Sequence, residues 1–300
     1  MRFWIGITDR DWFDFLSARG PEEVNFWQPS PRRPARLEPG VPFLFKLHAP
    51  DNFIVGGGFF VRFSVLPARL AWEAFGEKNG AADYPLLRAR VEQYRRERIR
   101  GDPEIGCSVL NAPFFFERED WIPAPADWAP NIVQGRRYDS IDSVGAAVWR
   151  SVEARLKRPI EEAMREPRFG PAYLTQSRLG QGAFRVLVTE AYARRCAVTG
   201  ERTLPVLEAA HIRPYSMDGT HIVSNGLLLR SDLHTLFDAG YLTVTDNLRV
   251  EVSGRIREQF ENGKEYYKYD GQRLLVIPGH EDERPAPDLL RWHNENVFVG

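Results

Sequence analysis

Glu208-Ala209-Ala210-His211-Ile212-Arg213-Pro214-Tyr215, then Ser224-Asn225-Gly226-Leu227, then Asp232-Leu233-His234-Thr235-Leu236-Phe237-Asp238 set a histidine, an asparagine and a second histidine in three segments of different character. Leu204 to Ile212 is an apolar run of strand length that ends at His211, Asp218-Gly219 marks a loop, and Ser231 to Phe237 has helical spacing. Hydrolysis of a phosphodiester needs a base to deprotonate water, a divalent cation to neutralise charge on the phosphorane and leaving oxygen, and a scaffold holding both on one phosphate. A strand histidine facing a helix histidine across a short loop supplies all three.

The neighbours of His211 are Ala209, Ala210 and Ile212, so its imidazole is expected on an apolar strand with a pKa near or below neutrality, as a base requires. Arg185, Arg194 and Arg195 precede it and Arg213 follows it two residues on, which offers local phosphate contacts through Arg185, Arg195 and Arg213. Taken singly, each of these residues also reads as a satisfied core histidine or a solvated arginine. Upstream, Gly182 to Tyr192 carries Phe184, Leu187, Val188 and Ala191 on one helical face. Cys196 to Gly200 and Leu204 to Ile212 read as two strands, which gives the order strand, strand, loop, helix. A polar turn at Asp246-Asn247 and a basic, aromatic tail follow.

The first 140 or so residues alternate short apolar segments (Phe3 to Ile7, Val41 to Leu47, Phe53 to Phe63, Ile105 to Leu110) with turn residues, the pattern of a mostly β domain such as a small barrel. Leu70 to Phe75 and Tyr84 to Arg100 interrupt it with helical spacing. Val144, Val148, Val152 and Leu156 then mark a helix, and Pro159, Pro167, Gly170 and Pro171 break the pattern as a connector does. The expected domains are 1–140, a helical connector 141–172, and 173–300.

The words Gln181-Gly182-Ala183-Phe184-Arg185, Arg195-Cys196-Ala197-Val198-Thr199-Gly200 and the three segments quoted first closely resemble the HNH endonuclease family of restriction-type nucleases, over residues 181 to 242. Leu290-Arg291-Trp292-His293-Asn294-Glu295-Asn296-Val297-Phe298 is similar to the closing segment of that subfamily. The resemblance implies a ββα-metal fold in which His211 activates water, Asn225 holds the loop that orients it, and His234 binds one Mg²⁺ or Mn²⁺ ion. Many relatives place an acidic residue or a histidine just before the base as a metal ligand, where this chain has Ala210. Asp238 lies four residues after His234 on the same helix face, where the two together can hold the ion; the alternative is that it bonds loop amides near Gly240. Glu208 is a weaker ligand, because strand alternation points it away from His211; His221 could also approach the site, although a loop histidine is more often just solvated. Some relatives staple the fold with two Cys-x-x-Cys pairs; Cys196 and Cys107 are the chain's two cysteines, so no structural zinc is expected. A thiol nucleophile at Cys196 lacks an activating setting.

In the N-terminal half, Glu23-Val24-Asn25-Phe26-Trp27-Gln28, Leu37 to Phe45 and Ile54 to Phe60 resemble the PUA-like superfamily and, within it, the EVE domains, which are associated with modified bases in an aromatic cage. The resemblance implies a PUA-like β-barrel with flanking helices. Trp27, read as a loop residue beside Asn25, Phe26 and Gln28, is the expected stacking platform of a modified-base pocket.

The fold class expected is therefore α+β: the barrel, the helical connector, and a C-terminal ββα-metal domain. The function expected is a modification-dependent DNA restriction endonuclease acting on double-stranded DNA that carries modified cytosine, with a homodimer to cut both strands. Two alternatives stay open: an HNH nuclease indifferent to modification, and a non-catalytic DNA-binding protein with a degenerate HNH domain. Composition bounds this reading. With 40 basic and 41 acidic residues, nucleic-acid binding must rest on local patches. Apolar runs are too short for a membrane span and the N-terminus lacks a signal-peptide core, so a cytoplasmic location is expected.

Overall fold

The alternating apolar segments of the first half become a sheet buried on both faces. The computed structural model describes residues 1–32, 37–163, 180–217 and 219–300; the expected boundary near residue 172 and the loop residue Asp218 lie outside the described residues. The chain divides into two compact units, Met1–Gly180 and Gln181–Gly300.

The first unit runs β1 (Arg2–Thr8), α1 (Arg10–Ser17), β2 (Glu23–Gln28), β3 (Pro42–Leu47), β4 (Phe53–Pro67), α2 (Ala68–Phe75), α3 (Tyr84–Arg95), β5 (Glu104–Phe115), β6 (Ile122–Pro123), β7 (Gly135–Asp139) and α4 (Ser143–Ala163). The sheet order is β2-β5-β4-β3-β1-β7, with β6 added to β4. The β1–β3 pair is parallel and the other pairs are antiparallel. The path is open, with β2 and β7 at its ends, and so departs from the closed barrel expected. The reason lies in the side chains. Successive residues of a strand point to opposite faces, and here both faces are apolar. Phe43 and Phe45 join Trp4, Trp12, Phe13, Leu16 and Phe26 in one core, with α1 on that side. Leu44 joins Phe3, Ile5, Ile54, Val148 and Val152 in another, where α4 packs. A helix on each face buries what closure would have buried on one.

The second unit runs α5 (Gln181–Ala191), β8 (Leu207–His211), β9 (Gly226–Arg230), α6 (Ser231–Asp238), β10 (Leu242–Val244), β11 (Val250–Val252), α7 (Arg255–Phe260), α8 (Lys264–Tyr267) and α9 (Pro287–Asn296). β8 and β9 form an antiparallel hairpin from Leu207↔Arg230 to His211↔Gly226. The order is thus strand, loop, strand, helix, which corrects the reading of Cys196 to Gly200 as a strand. That stretch is a turn: Gly200 takes φ 72° and the Thr199 amide donates to Cys196 Sγ at 3.4 Å. The Asp246-Asn247 turn does join two strands, β10 and β11. Among the described residues, no helix is long and apolar enough to cross a membrane.

Candidate functional site

His211 closes β8, and a close approach on the neighbouring strand fixes its ring. A Cβ on Gly226 would lie 2.4 Å from Val188 and 3.0 Å from Phe184, so glycine opposite His211 lets α5 press down on the hairpin. Phe184 then stacks on the His211 imidazole at 3.9 Å between centroids and 11° between planes. Burial is the main cause that lowers the His211 pKa to about 4; the neighbouring His221 and His234 lower it further and Asp238 opposes them. At neutral pH the ring is uncharged, with one nitrogen protonated and the other carrying a lone pair.

His211 has a partner that the sequence reading set aside. His221 Nδ1 lies 2.9 Å from His211 Nε2, and Tyr215 stacks on His221 at 4.7 Å and 6°. No local sequence pattern marks this contact, which depends on a loop whose two ends are tied together. Asn225, fully buried, makes that tie: its Oδ1 accepts from the Arg213 amide at 2.9 Å, and its Nδ2 donates to Arg213 O at 3.0 Å and Thr220 O at 2.8 Å.

On α6, His234 is bracketed by carboxylates, with Glu208 Oε2 2.6 Å from its Nδ1 and Asp238 Oδ2 3.2 Å from its Nε2. Burial acts to lower the His234 pKa, but the bonds and charges of Asp238 and Glu208 outweigh it and hold the pKa above the usual value. Alternation does turn Glu208 away from His211, yet that is the side on which it meets His234. The α6 helix packs on both strands of the hairpin and begins at the end of β9 that pairs with Leu207, so it runs back toward the His211 end and carries Asp238 with it. No bond joins His211 to His234 among the described residues; they act on each other through charge. Nor do three His, Cys, Asp or Glu side chains converge there as a ready cage for an ion.

The three arginines have separate surroundings. Arg213 donates from Nε to Met217 O at 2.5 Å and lies 5.2 Å over the Trp292 ring. The Nε of Arg195 is buried without a hydrogen-bond partner among the described residues. Arg185 sits half-buried on α5. Both cysteines are buried and unpaired.

Residues 196–245 match the family model of the HNH endonucleases. The chain therefore carries an HNH endonuclease domain, and β8, β9 and α6 all lie within it. No curated protein matches the chain. Among solved structures, it is similar to a mutant of the ZmASCH protein from Zymomonas mobilis (11% identity, TM-score 0.32, covering 49% of this chain and 96% of that one). It is also similar to the modification-dependent TagI restriction endonuclease (14% identity, TM-score 0.29, covering 92% of this chain and 75% of that one).

The first unit holds a cavity of about 200 Å³ where β1 and β2 end. Trp12, Phe26, Trp27 and Tyr94 supply its aromatic wall, and Asp9, Gln28 and His48 its polar groups. Trp27 lies on β2 rather than in a loop; its indole N–H donates to Asn79 O at 2.9 Å, which orients the ring. The left-handed Gly80 (φ 74°) leaves room for Trp12, whose ring a Cβ there would meet at 2.1 Å. Asn25 is not in the cavity. It is fully buried and donates to Asn79 Oδ1 at 2.8 Å; it shares a face of β2 with Trp27 but lies two residues further into the strand, away from the end where the cavity opens. Asp9 was missed: its carboxylate accepts from the Tyr94 hydroxyl and lies 3.6 Å from His48 Nε2.

Proposed function

We propose that this protein is a metal-dependent DNA endonuclease that recognises a modified cytosine, flipped into the cavity of the first unit, and hydrolyses a phosphodiester at the HNH site. The observation that carries the hydrolytic half is the pairing of an uncharged, stacked His211 with a His234 flanked by Glu208 and Asp238. The donor set suits a divalent ion. His234 Nε2 and Asp238 Oδ2 are 3.2 Å apart, and adjacent ligands on an octahedral ion that binds each at about 2.1 Å stand about 3 Å apart. Magnesium keeps several waters and needs only one or two protein ligands. His234 and Asp238 would hold one Mg²⁺ or Mn²⁺ ion, with Glu208 orienting the histidine from its other nitrogen, as outer carboxylates do. Bound there, the ion neutralises charge on the phosphate and leaving oxygen.

This chain's residues do the rest. His211 takes the proton of the attacking water, and Asn225 holds the loop beside it. Arg185, Arg195 and Arg213 are assigned to the phosphate backbone. In the first unit, Trp27 and Phe26 offer ring faces to an extruded base while Asp9 and Gln28 meet its edge. A cavity of about 200 Å³ is smaller than the roughly 300–1,000 Å³ of pockets for drug-sized ligands, which suits one base. Extrusion costs a few kcal/mol and stacking returns about 1–3 kcal/mol per base, so contacts to a modification decide whether the base stays out. A homodimer would cut both strands.

The test is a panel of plain and cytosine-modified plasmids with Mg²⁺ or Mn²⁺ and a chelator control. Metal-dependent cutting of modified DNA alone is expected. Equal cutting of both removes the reader assignment, and binding without cutting removes the nuclease.

A further inference from the structure

Two imidazoles 2.9 Å apart share one proton between His211 Nε2 and His221 Nδ1, and which nitrogen carries it decides whether His211 can act as a base. If His221 donates, the proton of neutral His211 sits on Nδ1 and no lone pair is left. If His211 donates, Nδ1 carries the lone pair, and among the described residues no protein group is bonded to that atom. We propose that His221 is a positioning residue that accepts the Nε2 proton of His211 and so makes Nδ1 the basic atom.

The loop is built to hold this arrangement. Asn225 bonds Thr220 O, which fixes the residue immediately before His221. Tyr215 stacks on one ring and Phe184 on the other, so neither imidazole can turn without breaking an aromatic contact. Phe184 also lies 5.8 Å from His221. The contact therefore joins the tie of the loop to the orientation of the base: Asn225 places His221, and His221 places the proton of His211. The inference rests on the nuclease reading for the source of the transferred proton. In that step water gives one proton to His211 Nδ1, its oxygen forms the new bond to phosphorus as the leaving oxygen departs, and the Nε2–H bond to His221 stays intact while His211 carries the positive charge.

The test uses the full chain with ¹⁵N-labelled histidine. NMR of the wild type should show His211 protonated at Nε2 and unprotonated at Nδ1; the reverse tautomer overturns the proposal. His221→Asn keeps an acceptor near the Nδ1 position and should preserve that tautomer, while His221→Ala should not. In single-turnover cleavage with Mg²⁺, His221→Ala should lower the rate constant about 100-fold, part of the effect of losing a base, with DNA affinity unchanged, and His221→Asn should recover to within about tenfold of wild type. Equal rates for His221→Ala and wild type, or no recovery by asparagine over alanine, overturn it. A wild type that cuts no DNA sinks the nuclease reading instead, and the tautomer then still decides this one.

Discussion

Asn225→Asp should destabilise the second unit more than Asn225→Ala does, although the aspartate is almost the same shape as the residue it replaces. The side chain is fully buried, accepts one bond from the Arg213 amide and donates two, to the carbonyls of Arg213 and Thr220 at 3.0 and 2.8 Å. Alanine removes three bonds worth about 1 kcal/mol each, so a loss of about 3 kcal/mol is expected. Aspartate keeps the acceptor but sets a carboxylate oxygen against two carbonyls, an uncompensated buried charge, and the loss should reach about 4–5 kcal/mol at neutral pH. The two variants also differ in sign with pH. The buried carboxyl has a folded pKa above its unfolded value, so the folded state binds the extra proton and the aspartate variant regains stability as pH falls through that value. The alanine variant has no such term. Hydrogen exchange at the β8 and β9 amides reads the stability of the hairpin directly. An aspartate variant as stable as the alanine variant at pH 7, or one that gains nothing on acidification relative to it, would refute the assignment of Nδ2 to the two carbonyls.

Protons and metal should compete at His234. Its raised pKa, held up by Asp238 and Glu208 against burial, means that Mn²⁺ affinity measured by calorimetry rises with pH through and above 6.5; a flat profile would remove His234 as a ligand. His293 is buried at 2% exposure, stacked on Phe237 at 3.8 Å, and burial brings its pKa down to about 4. The unfolded chain therefore takes up the proton first, and stability should fall by about 3 kcal/mol as pH drops from 6.5 to 4. In His293→Phe, denaturant unfolding should show a shallower loss, and an equally steep one would place the acid sensitivity elsewhere. Trp27→Ala should relax the preference for modified over plain DNA more than it slows cutting, and an unchanged preference would take Trp27 out of the pocket.

The HNH half was the more legible in sequence because its chemistry is local. His211, Asn225 and His234 sit at a strand end, a loop end and a helix turn, and apolar periodicity locates each. The helices at Gln181–Ala191 and Ser231–Asp238 fall within a residue of the periodic reading. What the pattern could not supply was pairing. Cys196 to Gly200 has strand composition, but the partner of β8 is Gly226–Arg230, brought in by the Asn225 ties across the loop 212–225. The same ties bring His221 onto His211, and no local pattern marks that. For Glu208, alternation gave the correct face, and only the packing of α6 reveals that this face is the useful one. In the first unit the aromatic words marked a sheet without deciding its closure, because a strand such as Phe43-Leu44-Phe45 is apolar on both sides and fits a buried open sheet as well as a barrel. Trp27 reads as a loop residue beside Pro29 until the pairing of β2 with β5 draws it into the ladder.

The most direct test of the site is cleavage of a plasmid carrying modified cytosine by His211→Ala in Mn²⁺, with DNA binding followed in parallel by gel shift. The variant should bind as the wild type does and cut at least about 100-fold more slowly, the share of rate a positioned base supplies. Wild-type cutting by that variant would contradict the account, since the attacking water would then be losing its proton to a group other than His211.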